Sequence, residues 1–347
     1  MTWDDAYLES FGVALGRLVE PAEEHADLHQ AGVRSVAVEP ELTAAELAAE
    51  AALDAMSRVS SDARCRLVVH CSLWYQGAQM WPAASFVARA AAGPEVLAVD
   101  LQQQCNGGLI ALELAAGLLS TWSPDDRILV TTGDRFDAPT FDRWHGDNLT
   151  VYGDAGTAVV VARRPAALRL VSTFTRTDNS LEGAVRGGVF HPPESVARCL
   201  DLTGMGERYL RSGARLRDVG LKTAQVVIDS VEGCLAGAGL TVKEVDHVVM
   251  GFQSRSQFEW QSTHVIGVPL EKTNWDFVSR VGHLGAGDQF AALHDAVRSG
   301  RVGRDGRVLL VGGGAGFNCT SAVVHVVDNM SRKCERESEA RCRGSMT

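Results

Sequence analysis

The segment Asp126-Arg127-Ile128-Leu129-Val130 recurs, 180 residues on, as Gly306-Arg307-Val308-Leu309-Leu310. Two further elements share that offset. The apolar run ending at Val69-His70 meets Val249-Met250, and an Ala/Leu-rich segment from Gly108 meets another from Asp288. One offset common to three elements predicts two tandem copies of one α/β unit rather than a short-period array. The expected halves are 1–165 and 166–327. Residues 328–347 are charged and without apolar periodicity, and are expected to form a disordered tail.

Each half alternates in pattern. Short β-branched runs at Arg66–His70, Arg127–Thr131, Ala158–Ala162, His247–Met250, Arg307–Val311 and Ala322–Val327 read as buried strands. Helical stretches Ala44–Ser57, Gly108–Leu119, Leu221–Gly237 and Gln289–Ser299 lie between them. That alternation predicts a mainly parallel sheet. With 347 residues, 46% of them hydrophobic, the chain is long enough to bury such a core. A formal charge of -10 argues against nucleic acid and against anionic membrane surfaces. The start, MTWDDAYLES, carries acids where a signal peptide is basic, and no apolar run reaches the length of a membrane span. A cytoplasmic location is therefore expected. The eight cysteines form no CxxC pair and show no zinc-site spacing, so free thiols and no metal are expected.

Two loops at matching places in the halves carry chemistry. In Asp100–Leu109, Cys105 falls between a strand end and a helix start. The helix dipole and free N–H groups there favour a thiolate and could hold an oxyanion. The plainer reading is a buried cysteine at a turn. In Arg280–Gln289, His283 and Asp288 straddle a Gly-rich turn, where a carboxylate can fix the imidazole tautomer. The plainer reading is a loop histidine beside a helix-capping aspartate. A third stretch, Gly312-Gly-Gly-Ala-Gly-Phe317, has neither the Lys-Ser/Thr of a P-loop nor dinucleotide-fingerprint spacing. It reads as a backbone wall.

Taken together, DLQQQCNGG around Cys105, VYGDAGTAVVVA at Val151–Ala162, RVGHLGAGDQFAAL at Arg280–Leu293 and GGGAGFNCTSAVV at Gly312–Val324 resemble the ketoacyl synthase III-like enzymes of the thiolase fold. The resemblance runs from about Tyr7 to Val327. It implies an α/β, thiolase-like duplicated αβαβα layered fold, a homodimer, no cofactor, and Cys105 as an acylated nucleophile. Two positions depart from the condensing members. Gly251 falls where they carry a His, and His283 stands where they carry an Asn. With both changed, decarboxylative C–C bond formation loses its electrostatic support. The remaining set, Cys105, His283 and Asp288, resembles the acyltransferase branch. In that branch Cys105 would take an acyl group from a thioester donor, an acyl carrier protein, coenzyme A or a small thioester. His283 would deprotonate a hydroxyl or amine of a sugar-like or aminocyclitol acceptor, and Asp288 would orient His283. The N–H groups of Cys105 and Ala315 would hold the oxyanion. A decarboxylative condensing enzyme is the alternative, and a catalytically silent binding partner a third possibility.

The same resemblance bears on the pocket and the donor. Trp74, Tyr75, Trp81, Trp144 and Phe317 are expected to border the substrate pocket, with Trp81, where the family places an aromatic reaching the neighbouring subunit's tunnel, shortening that acyl tunnel so that short or aromatic acyl groups fit. Ordinary core or interface packing is the alternative. The span Phe136–Tyr152 is expected to be a lid or interface loop. The loop Ala26–Arg34 has no Trp, and Gln30 replaces an Arg, which disfavours adenine stacking and favours a carrier protein. Arg208, Arg211, Arg215 and Arg217, expected within one helical stretch, together with Arg255, form a candidate patch for an acidic carrier; a solvated basic face is the plainer reading.

Overall fold

A computed structural model describes residues 1–147, 150–188, 190 and 200–328, apart from the side chains of Ala26 and Gln30. Past Asp328 the expected tail lies outside the described residues. The strands are β1 (Thr2–Leu15), β2 (Arg17–Val19), β3 (Val36–Val38), β4 (Arg64–Cys71), β5 (Leu97–Leu101), β6 (Asp126–Asp134), β7 (Ala155–Ala162), β8 (Leu168–Thr177), β9 (His247–Met250), β10 (Arg307–Gly314) and β11 (Asn318–Val326). β2 and β3 pair by themselves. The other nine form one sheet in the order β5-β4-β6-β7-β1-β8-β11-β10-β9.

That order is mirrored about the β1/β8 seam. Moving outward, β7 answers β11, β6 answers β10 and β4 answers β9. Among the described residues β5 has no counterpart strand, only a single bridge between Val248 and Thr273. The six expected strands stand where the sequence placed them, but the sheet is mixed rather than mainly parallel. Pairs β4/β5, β4/β6 and β9/β10 are parallel, and the others are antiparallel. Three of the five antiparallel pairs involve β1 or β8, the central strands absent from the expected set, and the other two join expected strands, β6 to β7 and β10 to β11. In β1, buried Trp3, Ala6, Leu8 and Ser10 interleave with Asp4, Asp5, Tyr7 and Glu9. An alternation so rich in acid suits a strand with one wet face but lacks the apolar run of a buried one.

Helices complete the layers. The helix Ala44–Met56, opened by a Thr43–Glu46 capping box, covers β1, β6 and β7 on the outside. The helix Leu216–Ala238, which starts five residues before the expected point, covers β8 and β11. Between the two halves lie the helices Gly107–Leu119 and Asp288–Arg298, each touching strands of both. The result is a layered α/β fold of the kind the resemblance implies. Among the described residues no helix is long and apolar enough to cross a membrane. The two central helices begin near the C-terminal ends of β5, β6 and β9, where open α/β architectures place their ligands.

Candidate active site

After β5 the residues Gln104–Asn106 form a 3-10 turn that leads into the helix Gly107–Leu119. Gln104 has φ 54°, a left-handed conformation uncommon outside glycine. This turn leaves Cys105 half-buried, directly before the helix N-terminus. Its Sγ lies 2.8 Å from His283 Nε2.

His283 is fixed through both its backbone and its ring. Its N–H donates to the Val151 carbonyl at 2.7 Å, and its own carbonyl accepts from the Gly153 N–H at 2.9 Å. The Tyr152 ring lies 5.4 Å away, centroid to centroid. On the far side, His283 Nδ1 lies 2.5 Å from Asp288 Oδ2. Asp288 is the first residue of its helix and is buried. Its Oδ1 accepts from the Leu284 N–H at 2.7 Å, and its Oδ2 also accepts from the Phe252 N–H at 3.3 Å. Burial by itself would push the His283 imidazole toward neutrality. Asp288 and then Cys105 outweigh that burial and hold its pKa well above the ordinary 6.5.

A buried carboxylate that the sequence reading missed supports this loop. Asp134, at the end of β6, accepts from the N–H groups of Leu73 at 2.7 Å and Trp74 at 2.8 Å through Oδ1. Its Oδ2 accepts from Ala286 at 2.9 Å. Burial pushes its pKa up to about 7 against the pull of those three N–H groups. Beside it, Gly285 has φ 64°, and a Cβ there would stand 2.0 Å from Asp134 Oδ2. The signal available in sequence was an acid a few residues past the apolar run Ile128-Leu129-Val130, on a strand that proves to be buried throughout.

Cys105, His283 and Asp288 open onto one cavity of about 650 Å3, which Ala315 also lines from the β10–β11 turn. Its lining includes the apolar side chains of Leu73, Trp74, Phe141, Tyr152, Leu202 and Phe317. It also includes the amides of Gln253, Gln261 and Gln289. Gln253 donates to Gln261 at 2.7 Å. Gln289 is 2% exposed, its Nε2 lies 3.3 Å from the Val311 carbonyl, and its Oε1 has no partner among the described residues. Nothing in the sequence distinguished these glutamines. Among the described residues no group of three or more His, Cys, Asp or Glu is placed to hold a metal ion.

Of the five expected pocket aromatics, Trp74 and Phe317 line this cavity, and Tyr75, Trp81 and Trp144 do not. Tyr75 is exposed, and Trp81 turns out onto Phe86, 5.7 Å away. Trp144 stacks on His25 at 5.0 Å and borders a smaller space of about 70 Å3. That space shares Asp147, Thr150 and Phe252 with the main cavity. Apolar bulk signals a need for cover, not its direction. Within the span expected as a lid or interface loop, the described residues Phe136, Phe141 and Tyr152 pack with ring centroids 4.7 to 4.9 Å apart. Arg143 clamps Asp154 through two bonds of 2.9 Å.

The expected basic patch is divided. Arg208 and Arg211 belong to the helix Leu202–Arg211, whereas Arg215 and Arg217 flank the start of the next helix. The chain breaks helix at Ser212-Gly213, where Gly213 has φ 112°. Arg255 stands elsewhere, over the Trp275 ring at 5.9 Å, in an open groove that also holds His29, Gly32, Arg34 and Asp276. The loop 26–34 has no Trp of its own, yet the Trp275 indole packs against Gly32 in that loop. An indole beside this loop is therefore supplied by Trp275, far along the chain, a placement the loop's own sequence does not show. Val33 links the groove to the smaller space, which in turn abuts the Cys105 cavity.

Comparison with known proteins points to the same fold. The family model of 3-oxoacyl-[acyl-carrier-protein] synthase III matches residues 99–179, and the model of its C-terminal part matches residues 235–326. The chain is 27% identical to a beta-ketoacyl-[acyl-carrier-protein] synthase III of Synechocystis over 65% of its own length and 67% of the relative's. It is 27% identical to one of Nitratidesulfovibrio vulgaris over 83% and 86%. Among solved structures, the acyltransferase ChlB3 superposes with a TM-score of 0.85 at 30% identity, covering 93% of this chain and 98% of that one. The synthase III of Aquifex aeolicus superposes at 0.71 with 20% identity, over 92% and 99%, and shows the shared fold.

Proposed function

This chain belongs to the ketoacyl-acyl-carrier-protein synthase III-like family of thiolase-fold proteins, and from that premise we propose that it is an acyltransferase that forms no C–C bond. One observation carries the reading: Cys105, His283 and Asp288 stand in a hydrogen-bonded line, 2.8 and 2.5 Å between members. That line suits a nucleophile, a base and an orienting carboxylate. The Gly at 251 and the His at 283 leave no His–Asn pair to stabilise a malonyl-derived enolate.

In this reading the Cys105 thiolate attacks the carbonyl of a donor thioester. The N–H groups of Cys105 and Ala315 hold the oxyanion. The donor's C–S bond breaks, and the leaving sulfur takes the proton from the His283 imidazolium. The acyl group then sits on Sγ as a neutral thioester, and His283 is left neutral beside Asp288. An acceptor hydroxyl or amine attacks that carbonyl while His283 takes its proton. The C–Sγ bond breaks, restoring the Cys105 thiolate and the imidazolium. The apolar lining residues, Trp74 and Phe317 among them, suit the acyl group. The lining amides, with a Gln289 Oε1 that has no partner among the described residues, suit a polar acceptor such as a sugar or aminocyclitol.

The donor is a carrier-protein or coenzyme A thioester whose phosphate-bearing part rests in the groove of Arg34, Arg255 and Trp275. Arg208, Arg211, Arg215 and Arg217 are then a secondary surface at most. We read residues 1–165 and 166–327 as two copies of one unit, which the mirrored strand order supports. The edge strand β5, with Leu97 and Val99 exposed and Trp81, Leu114 and Leu118 also uncovered, supports a homodimer.

The names of the synthase relatives favour a second reading, decarboxylative condensation. Intact-mass spectrometry after incubation with acetyl- and malonyl-coenzyme A separates the two. We expect an acetyl adduct on Cys105 and no CO2 release from the malonyl donor. An adduct elsewhere would remove the nucleophile assignment, and CO2 release would favour condensation.

A further inference from the structure

Gly251 lies just past the end of β9 and lines the same cavity as Cys105. A Cβ built on it would stand 2.6 Å from Asp288 Oδ2, closer than real carbon and oxygen atoms approach, and 3.8 Å from Gln289 Nε2. The oxygen it would strike is the one 2.5 Å from His283 Nδ1. Asp288 has little freedom to yield, because Oδ1 is held by the Leu284 N–H and Oδ2 by the Phe252 N–H. Rotating the carboxylate away from residue 251 gives up the His283 contact together with one of these.

We propose that Gly251 is a positioning residue whose missing side chain is what allows Asp288 to reach His283. It acts only through Asp288. The two departures from the condensing pattern, glycine at 251 and the His283–Asp288 pair, are then one structural change: a side chain at 251 and a carboxylate on His283 compete for the same space. This rests on the acyltransferase reading for its catalytic meaning, but the steric relationship stands without it.

Because the effect is local, it is read best at His283 itself. Apart from Asp288, the groups facing that imidazole are Cys105, Tyr152 from the segment after Thr150, and Asp134 from β6. The atoms nearest a Cβ at 251 belong to Asp288 and Gln289 instead. A close carboxylate raises the pKa of a neighbouring base by roughly 1–3 units. Weakening it should lower the His283 midpoint.

The test is an NMR titration of the full chain with labelled histidine, the His283 signal being assigned by its loss in H283N. Gly251→Ala is expected to move the His283 midpoint down by about one pH unit or more. In an Asp288→Ala background, adding Gly251→Ala is expected to move it no further, since the colliding oxygen is gone. No shift in the single variant, or an equal shift in both backgrounds, would overturn the proposal. If Gly251→Ala alone fails to fold, the double variant decides: recovery of the fold supports the collision, and continued failure overturns it. No acyl transfer is measured, so the acyltransferase reading can fail on the mass-spectrometric test while this result stands.

Discussion

The Ala286 N–H donates to Asp134 across 2.9 Å, so a residue at the end of β6 holds the loop that carries His283. The other Asp134 oxygen holds Leu73 and Trp74, which line the cavity. A single buried carboxylate thus joins one wall of the pocket to the base.

Asp134 should leave a signature in the pH dependence of stability. Its pKa is about 7 in the fold and ordinary, near 4, in the unfolded chain. Between those values the folded state holds the extra proton, so Asp134 makes stability fall as pH rises from 4 to 7. Asp134→Asn should therefore show a smaller drop in melting temperature from pH 5 to pH 8 than the parent protein. Equal drops, measured by calorimetry, would count against a raised pKa.

Transfer from acyl-Cys105 requires neutral His283. Asp288 favours the proton on that ring, so the transfer rate should rise with pH as the imidazolium loses it, along a limb displaced downward from that of the free enzyme because the acylated Cys105 no longer adds its pull. His283→Ala should abolish the limb and slow transfer by about 10²- to 10⁴-fold. The decay of the isolated acyl-enzyme with hydroxylamine as acceptor, followed by mass spectrometry, gives both numbers. The His283 contribution to folding stability has the matching sign: full below about 6.5, and lost as pH climbs through the raised value.

Gly285→Ala meets two obstacles together, a φ of 64° and a Cβ 2.0 Å from Asp134. We expect a loss of about 2–4 kcal/mol in urea unfolding. A loss below about 0.5 kcal/mol would mean that the loop relaxes freely.

Trp275→Ala and Arg255→Glu should raise KM about tenfold or more for an acyl-coenzyme A donor, a loss of roughly 1.4 kcal/mol. For the matching N-acetylcysteamine thioester, which carries no phosphate, KM should stay within twofold. Equal effects on both donors would remove the groove from donor binding.

Val99→Lys places a charge on the exposed edge strand. If β5 pairs with a second copy, sedimentation should show a shift from dimer toward monomer. An unchanged dimer would move the interface elsewhere.

Much of this site was legible in sequence because its chemistry sits at element junctions. Cys105 before a helix, and His283 and Asp288 around a Gly-rich turn, are local signals, and all three meet in one cavity. What was not legible depended on direction or on distance along the chain. Among the described residues Trp81 and Trp144 pack elsewhere and Tyr75 is exposed, and nothing local marks which way an aromatic ring turns. Trp275 packs on Gly32, and Gln253, Gln261 and Gln289 line one cavity, across separations along the chain that no local pattern spans. The acids of β1 hid a central strand, and with it the antiparallel seam joining the halves.

The clearance at Gly251 also limits how one chemistry could change into another by descent. A chain that gained a side chain at 251 while keeping Asp288 would disturb its base. One that lost Asp288 first would leave His283 without its partner. Neither single step keeps a complete site, so a shift between bond-forming and acyl-passing ancestors would have to cross a stage of weakened activity.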